Sequence, residues 1–167
     1  GACAASGANI VDAQIFTTTD GLALDTIFVS RAFDRDEDET RRGQRIAQSI
    51  EKALRGEIRL TDMVAAKAGA GDVARADTFA IAPDVTIDNS LSNAFTVIET
   101  SVLDRPGLLY TVTRPISKLN LNIGSAHVVT FGEKAVDVFY VTDLTGEKIT
   151  SAARQATIRK QLLESFG

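Results

Sequence analysis

Two stretches of this 167-residue chain repeat one another, and a repeated supersecondary unit is what most constrains the fold. Asn9-Ile10 matches Asn122-Ile123 and Ala13 matches Ala126 at an offset of 113 (122 − 9). Asp25, Phe28 and Val29 match Asp137, Tyr140 and Val141 at 112 (137 − 25), so the first copy is one residue longer. Both copies read as β-hairpins. The first runs from Asn9 to Val29 and is broken by Thr18-Thr19-Asp20-Gly21; the second runs from Asn122 to Val141 and is broken by Gly132-Glu133-Lys134. Asp and Gly tolerate the positive φ of a tight turn, and Val, Ile, Phe and Tyr favour strands.

Each hairpin leads into a helical pattern. In the first copy Ile46, Ile50 and Leu54 recur at i, i+4 and i+8 beside Ala47 and Ala53; in the second Ile158, Leu162 and Leu163 play that part. The first helix is expected to run toward Met63 and Val64 unless Gly56 breaks it. Residues 68–78, rich in Ala-Gly steps, read as a mobile connection, and the alternating Asp84–Asn89 stretch as a strand closing the first unit. Phe95 to Leu103 reads as a further strand. Leu108, Leu109, Val112, Ile116 and Leu119 then recur at helical spacing around Pro115, which costs about 3 kcal/mol or forces a kink. The expected organisation is a first domain over 1–92 and a second over 93–167. The first lacks its opening strand and most of its first helix; the second lacks a final strand. Gly1 opens what reads as mid-helix sequence, so the chain is expected to be a piece of something longer.

Composition removes several function classes. Eighteen Lys plus Arg against 22 Asp plus Glu argue against a phosphate backbone as partner. The one Cys, Cys3, and the one His, His127, exclude a closed Cys/His zinc site and an intramolecular disulfide. No stretch approaches the ~18 consecutive apolar residues of a membrane span, and no signal peptide opens the chain. A cytoplasmic location, with neither nucleic acid nor membrane as partner, fits these features.

The order strand, loop, helix, strand, strand, helix is ferredoxin-like, which alone decides no function. The second unit, however, resembles the ACT domain family on Asp104-Arg105-Pro106-Gly107-Leu108 and the Asn122-Ile123 pair. Thr96–Glu99, Leu103–Tyr110, Leu119–Ile123, Ser125–His127 and Val136–Gly146 are similar to the last ACT domain of bacterial bifunctional uridylyltransferase/uridylyl-removing enzymes, which modify the PII protein. Gly7–Ile15 is similar to the ACT domain before it. The resemblance implies an α+β fold of tandem ferredoxin-like ACT domains (βαββαβ), each an antiparallel four-stranded sheet with helices on one face. It also implies that such sheets, or two chains, pair edge to edge as ACT–ACT pairs or a homodimer.

Functionally the resemblance implies a regulatory module that binds L-glutamine and biases the parent chain's catalytic domains between uridylylation of PII and its reversal in nitrogen regulation. Neither the paired-Asp nucleotidyltransferase motif nor the His-Asp phosphohydrolase motif occurs here. The piece is therefore expected to be no enzyme, with no catalytic residue, cofactor or metal of its own, while the parent enzyme would use Mg.

The ligand-binding residues expected from the resemblance are Asp104, Arg105, Pro106, Gly107 and Leu108 with Asn9 and Ile10, and Asn122 and Ile123 for a second interface. The chemistry is apt, since a helix beginning at Leu108 offers unpaired N–H groups to an α-carboxylate, and an Asn amide can both donate and accept. Read from spacing alone, Asp104–Gly107 is equally a stiff turn and each Asn a left-handed turn residue. His127 and Ser125 share a strand face with Ile123 and Val129 if the alternation is regular, and they form no catalytic triad. Asp25 and Asp137 suggest a repeated polar contact, Cys3 a buried inert thiol, and Arg31–Arg45 a solvated helix face. Two alternatives stay open: an ACT sensor of another amino acid such as serine, phenylalanine or lysine, and a ligand-free module for dimerisation or docking.

Overall fold

The computed structural model describes residues 1–60, 63, 81–105 and 107–167. In chain order the elements are α1 (Ala2–Ala5), β1 (Ile10–Thr17), β2 (Ala23–Val29), α2 (Asp36–Leu54), β3 (Asp84–Asp88), β4 (Thr96–Leu103), α3 (Leu108–Lys118), β5 (Leu121–Phe131), β6 (Lys134–Asp143) and α4 (Ala152–Glu164). Both hairpins and the helices after them stand where the repeat put them. Gly56, at φ +73°, follows the end of α2, as its role as a breaker requires. Val64, Pro106 and the connection expected at 68–78 lie outside the described residues.

The chain divides into two compact units: residues 1–10, 29–80 and 105–110, and residues 11–28, 81–104 and 111–167. The second contains an antiparallel six-stranded sheet ordered β2-β1-β5-β6-β4-β3. Its β1–β5 seam joins the two repeats, with Asp12 opposite Val129 and Phe16 opposite Ser125. The two repeats are thus joined edge to edge within one chain. Asp84–Asp88, expected to close the first unit, pairs instead with β4, the strand that opens the second repeat. Val85 on that strand is buried, and Arg159 of α4 donates from Nε to its carbonyl at 2.8 Å.

Ile98, Val112, Ile116, Phe139, Ile158 and Leu162 are fully buried in this α+β core. Each such side chain contributes about 1.5–3 kcal/mol by leaving water. Thr96 Oγ1 donates to Asn89 Oδ1 at 2.7 Å, and Asn89 Nδ2 donates to the Ile149 carbonyl at 3.0 Å. The Ile149 N–H closes the ring on Thr96 Oγ1 at 2.9 Å, satisfying polar groups where three chain segments meet. Helix α3 continues through Pro115 to Lys118, and Asn120 in the turn after it, at φ 56°, is the left-handed asparagine; neither Asn9 nor Asn122 is one.

The regular alternation expected along β5 fails at Gly124. Ile123 lies opposite Val141 but Ser125 opposite Tyr140, so Ile123 falls on the other face from Ser125 and His127. A side chain at Gly124 would meet the Phe95 ring at 2.4 Å, which is why the bulge holds a glycine.

The first unit is held by a small cluster of Cys3, Ala8 and Ile46, with Ile10 and Val29 packed against it. The apolar stripe of α2 is only partly used: Ile46 is buried, Ile50 is half-exposed and Leu54 is 84% exposed. Helix α1 has four residues against 19 in α2, too short to cover the longer stripe. Nor is the Arg31–Arg45 face wholly solvated. Arg42 is buried, donating from Nη1 to the Ser30 carbonyl at 2.8 Å and to Glu39 Oε2 at 3.3 Å. Glu39 Oε1 in turn accepts from the N–H groups of Ala32 and Phe33 at 2.5 and 2.6 Å, which holds its carboxyl below its ordinary range.

Candidate ligand site

Chain geometry places the expected ligand residues in two groups. Asn9, Ile10 and the Arg105–Leu108 segment fall in one compact unit. Asn9 is exposed, and its carbonyl accepts from the Ser30 N–H at 2.9 Å, leaving the amide side chain at the surface. Ile10 is half-buried against the Cys3–Ile46 cluster and anchors the strand that follows. Gly107 takes φ +83°, and the Leu108 N–H turns back to the Arg105 carbonyl at 3.0 Å. A residue with a Cβ would be strained at that φ, so glycine is what lets the chain enter α3 here. The start of α3 carries the positive end of the helix dipole, which suits a carboxylate.

Asp104 belongs to the sheet unit. Its N–H donates to the Glu133 carbonyl at 2.8 Å, and Leu103 lies opposite Lys134, so it sits at the β5–β6 turn. Asn122 and Ile123 stand at the other end of β6: Leu121 lies opposite Asp143, and Asn122 Nδ2 donates to the Asp143 carbonyl at 3.3 Å. The Ile123 carbonyl accepts from Thr17 Oγ1 at 2.8 Å. The structure thus separates Asn122 and Ile123 from Asp104 along the length of the sheet.

Sequence reading undervalued Asp137. The repeated polar contact expected for Asp25 and Asp137 is not what forms. Asp25 is exposed, whereas Asp137 is 1% exposed and neither carboxylate oxygen has a hydrogen-bond partner among the described residues. The buried hydroxyl of Thr100, opposite it on β4, likewise has no partner among the described residues. Burial, and then the nearby Asp104 charge, push the Asp137 carboxyl up to about 7. The repeat alignment had marked the position; only the difference in cover between the two copies reveals its burial. Cys3 is buried as expected, and burial raises its thiol pKa.

Residues 84–166 match the family model described as an ACR9-like, ACT-like domain. The chain carries an ACT-like domain. That match begins at the first residue of β3, the strand that pairs with β4. Over 98% of its length the chain is 61% identical to a bifunctional uridylyltransferase/uridylyl-removing enzyme of Rhodopseudomonas palustris. It is 60% identical, again over 98%, to the enzymes so named in a Bradyrhizobium species and in Nitrobacter winogradskyi. The chain spans 18% of the first relative's length and 17% of the other two. No solved structure matches it. No described helix is long and apolar enough to cross a membrane.

Proposed function

We propose that this chain is the regulatory, glutamine-sensing part of a longer uridylyltransferase/uridylyl-removing enzyme acting on PII in nitrogen regulation. The observation that carries this reading is the grouping of Asn9 with the Arg105–Leu108 segment in one compact unit, beside a match to an ACT-like domain. In this reading the positive end of the α3 dipole attracts the α-carboxylate, Gly107 admits it close to the backbone, and the Asn9 amide bonds the ligand's polar groups. Glutamine shifts the parent enzyme between its two activities only by binding its two states with different affinity. Any metal requirement, Mg included, belongs in this reading to the catalytic domains.

The test is isothermal titration of the 167-residue chain with L-glutamine, with L-glutamate, L-serine and L-phenylalanine as controls. Saturable heat with glutamine alone is expected. Heat with serine or phenylalanine instead assigns a different amino acid. Silence with all four assigns an assembly role, a second reading favoured by the apolar side chains that β2 exposes, Leu24 at 64% and Phe28 at 49%.

A further inference from the structure

At the β3 end of the sheet, β4 pairs with β3 on one side and no strand lies on the other among the described residues. Strand β3 and helix α4 leave an open cavity of about 390 Å³ between them, a size usual for small-molecule sites. One wall carries two opposite charges. Arg159 of α4 donates from Nε to the Val85 carbonyl at 2.8 Å and from Nη2 to Asp84 Oδ1 at 3.3 Å. The bond to the main chain holds the guanidinium in place. Its Nη1 group and the second Asp84 oxygen have no hydrogen-bond partner among the described residues, so each charge keeps capacity for a ligand. Both side chains are more than half exposed, and such a pair is worth too little to resist a competitor. The rest of the lining is mainly aliphatic, with Val85 and Ile87 on β3 and Ala152 and Ala156 one turn apart on α4. Gln155 is already engaged, donating from Nε2 to the Ile149 carbonyl at 2.7 Å.

We propose that the cavity between β3 and α4 binds a small zwitterion, an α-amino acid with a branched aliphatic side chain, its carboxylate on Arg159 and its ammonium on Asp84. A guanidinium matches a carboxylate in geometry as well as charge, and a carboxylate accepts from an ammonium. Asp84 Oδ1 and Arg159 Nη2 lie only 3.3 Å apart, so the ligand's two charges must be close neighbours, as they are on one α-carbon. A γ-amino acid spaces them too widely. Val85, Ile87, Ala152 and Ala156 then meet the ligand's side chain and offer a polar one no compensating bond. Neither Asn9 nor the start of α3 lines this cavity, so the proposal stands apart from the glutamine reading.

The test is a 1H–15N titration of the 167-residue chain with L-valine, following the backbone amides of Val85, Thr86 and Ile87 and the Arg159 Nε–H. Three probes each lack one required feature: 3-methylbutanoate has no ammonium, L-valinamide no carboxylate, and γ-aminobutyrate no close spacing of the two. Saturable shifts at β3 and Arg159 with L-valine are expected, with binding at least about tenfold weaker for each probe. Asp84→Asn, at an exposed position, is expected to keep the spectrum of the fold and to weaken L-valine binding by a similar factor. No shift at Val85–Ile87 with about 10 mM L-valine overturns the proposal, as do shifts confined to Gly107 and Leu108. Equal binding of any probe, or unchanged binding in Asp84→Asn, overturns it as well.

Discussion

Gln14 lies opposite His127 in the β1–β5 ladder, and the two are counterparts in the sequence repeat, 113 residues apart (127 − 14). A strand pair whose facing residues are each other's equivalents is related by a local two-fold axis through that pair. The two hairpins thus join as symmetric halves of one sheet, although only the second has β4 and β3 beyond it.

Gly124→Ala tests the bulge that sets which face of β5 each side chain takes. A methyl group there would lie 2.4 Å from Phe95 Cε1 and 2.8 Å from Cζ, so the ring must move. The same ring packs edge-on against Tyr140, with centroids 6.3 Å apart. A loss of about 1–3 kcal/mol in urea denaturation is expected, partly recovered by adding Phe95→Leu. Unchanged stability would mean that the ring does not occupy the bulge.

Asp137 gives the fold a pH dependence of unusual sign. Its carboxyl, at about 7 in the folded chain against an ordinary 3.8, stays protonated after the unfolded chain has ionised. Its contribution is fully present below the ordinary value and is lost as pH rises through about 7, a few kcal/mol in all. Denaturation midpoints should fall from pH 5 to pH 8, and Asp137→Asn should flatten that fall. A wild-type profile as flat as the variant's would contradict the buried carboxyl. Asp143 and Glu39, whose hydrogen bonds lower their pKa values, act in the opposite window: their contributions are present above the ordinary carboxylate range and lost as pH falls through their folded values.

The two asparagines of the repeat should behave differently toward ligand. Asn9→Ala should weaken glutamine binding by about 1–3 kcal/mol, because the ligand loses its amide partner. Asn122→Ala should leave the affinity unchanged, since Asn122 bonds the Asp143 carbonyl at the sheet end away from Asp104. Calorimetry on the two variants distinguishes them, and equal losses would relocate the site.

Much of this arrangement was legible in the sequence, for identifiable reasons. Hairpins announce themselves through β-branched runs around Asp20-Gly21 and Gly132, and both glycines take the positive φ their turns need. The buried face of α4 follows from the spacing of Ile158 and Leu162. What failed depended on partners distant in the chain. Asp84–Asp88 alternates like any half-buried strand, and alternation does not say that its neighbour is β4. Ile50 and Leu54 have helical spacing, but exposure depends on how little α1 can cover. The bulge at Gly124 follows from the Phe95 ring, and the burial of Asp137 from β4, neither of which periodicity reports. At the candidate site, Gly107 and Leu108 were legible as the start of a helix, whereas the grouping of Asn9 with them came from the resemblance, since residues about a hundred positions apart leave no mark in local spacing.

The central claim is that glutamine is sensed where Asn9 and the start of α3 meet the ligand. The most direct measurement is a 1H–15N spectrum of the chain titrated with L-glutamine, following the backbone amides of Gly107 and Leu108 and the side-chain amides of Asn9 and Asn122. Saturable shifts at Gly107, Leu108 and Asn9, with Asn122 still, are the predicted result. No shift at any of them, or shifts confined to Asn122, would contradict it.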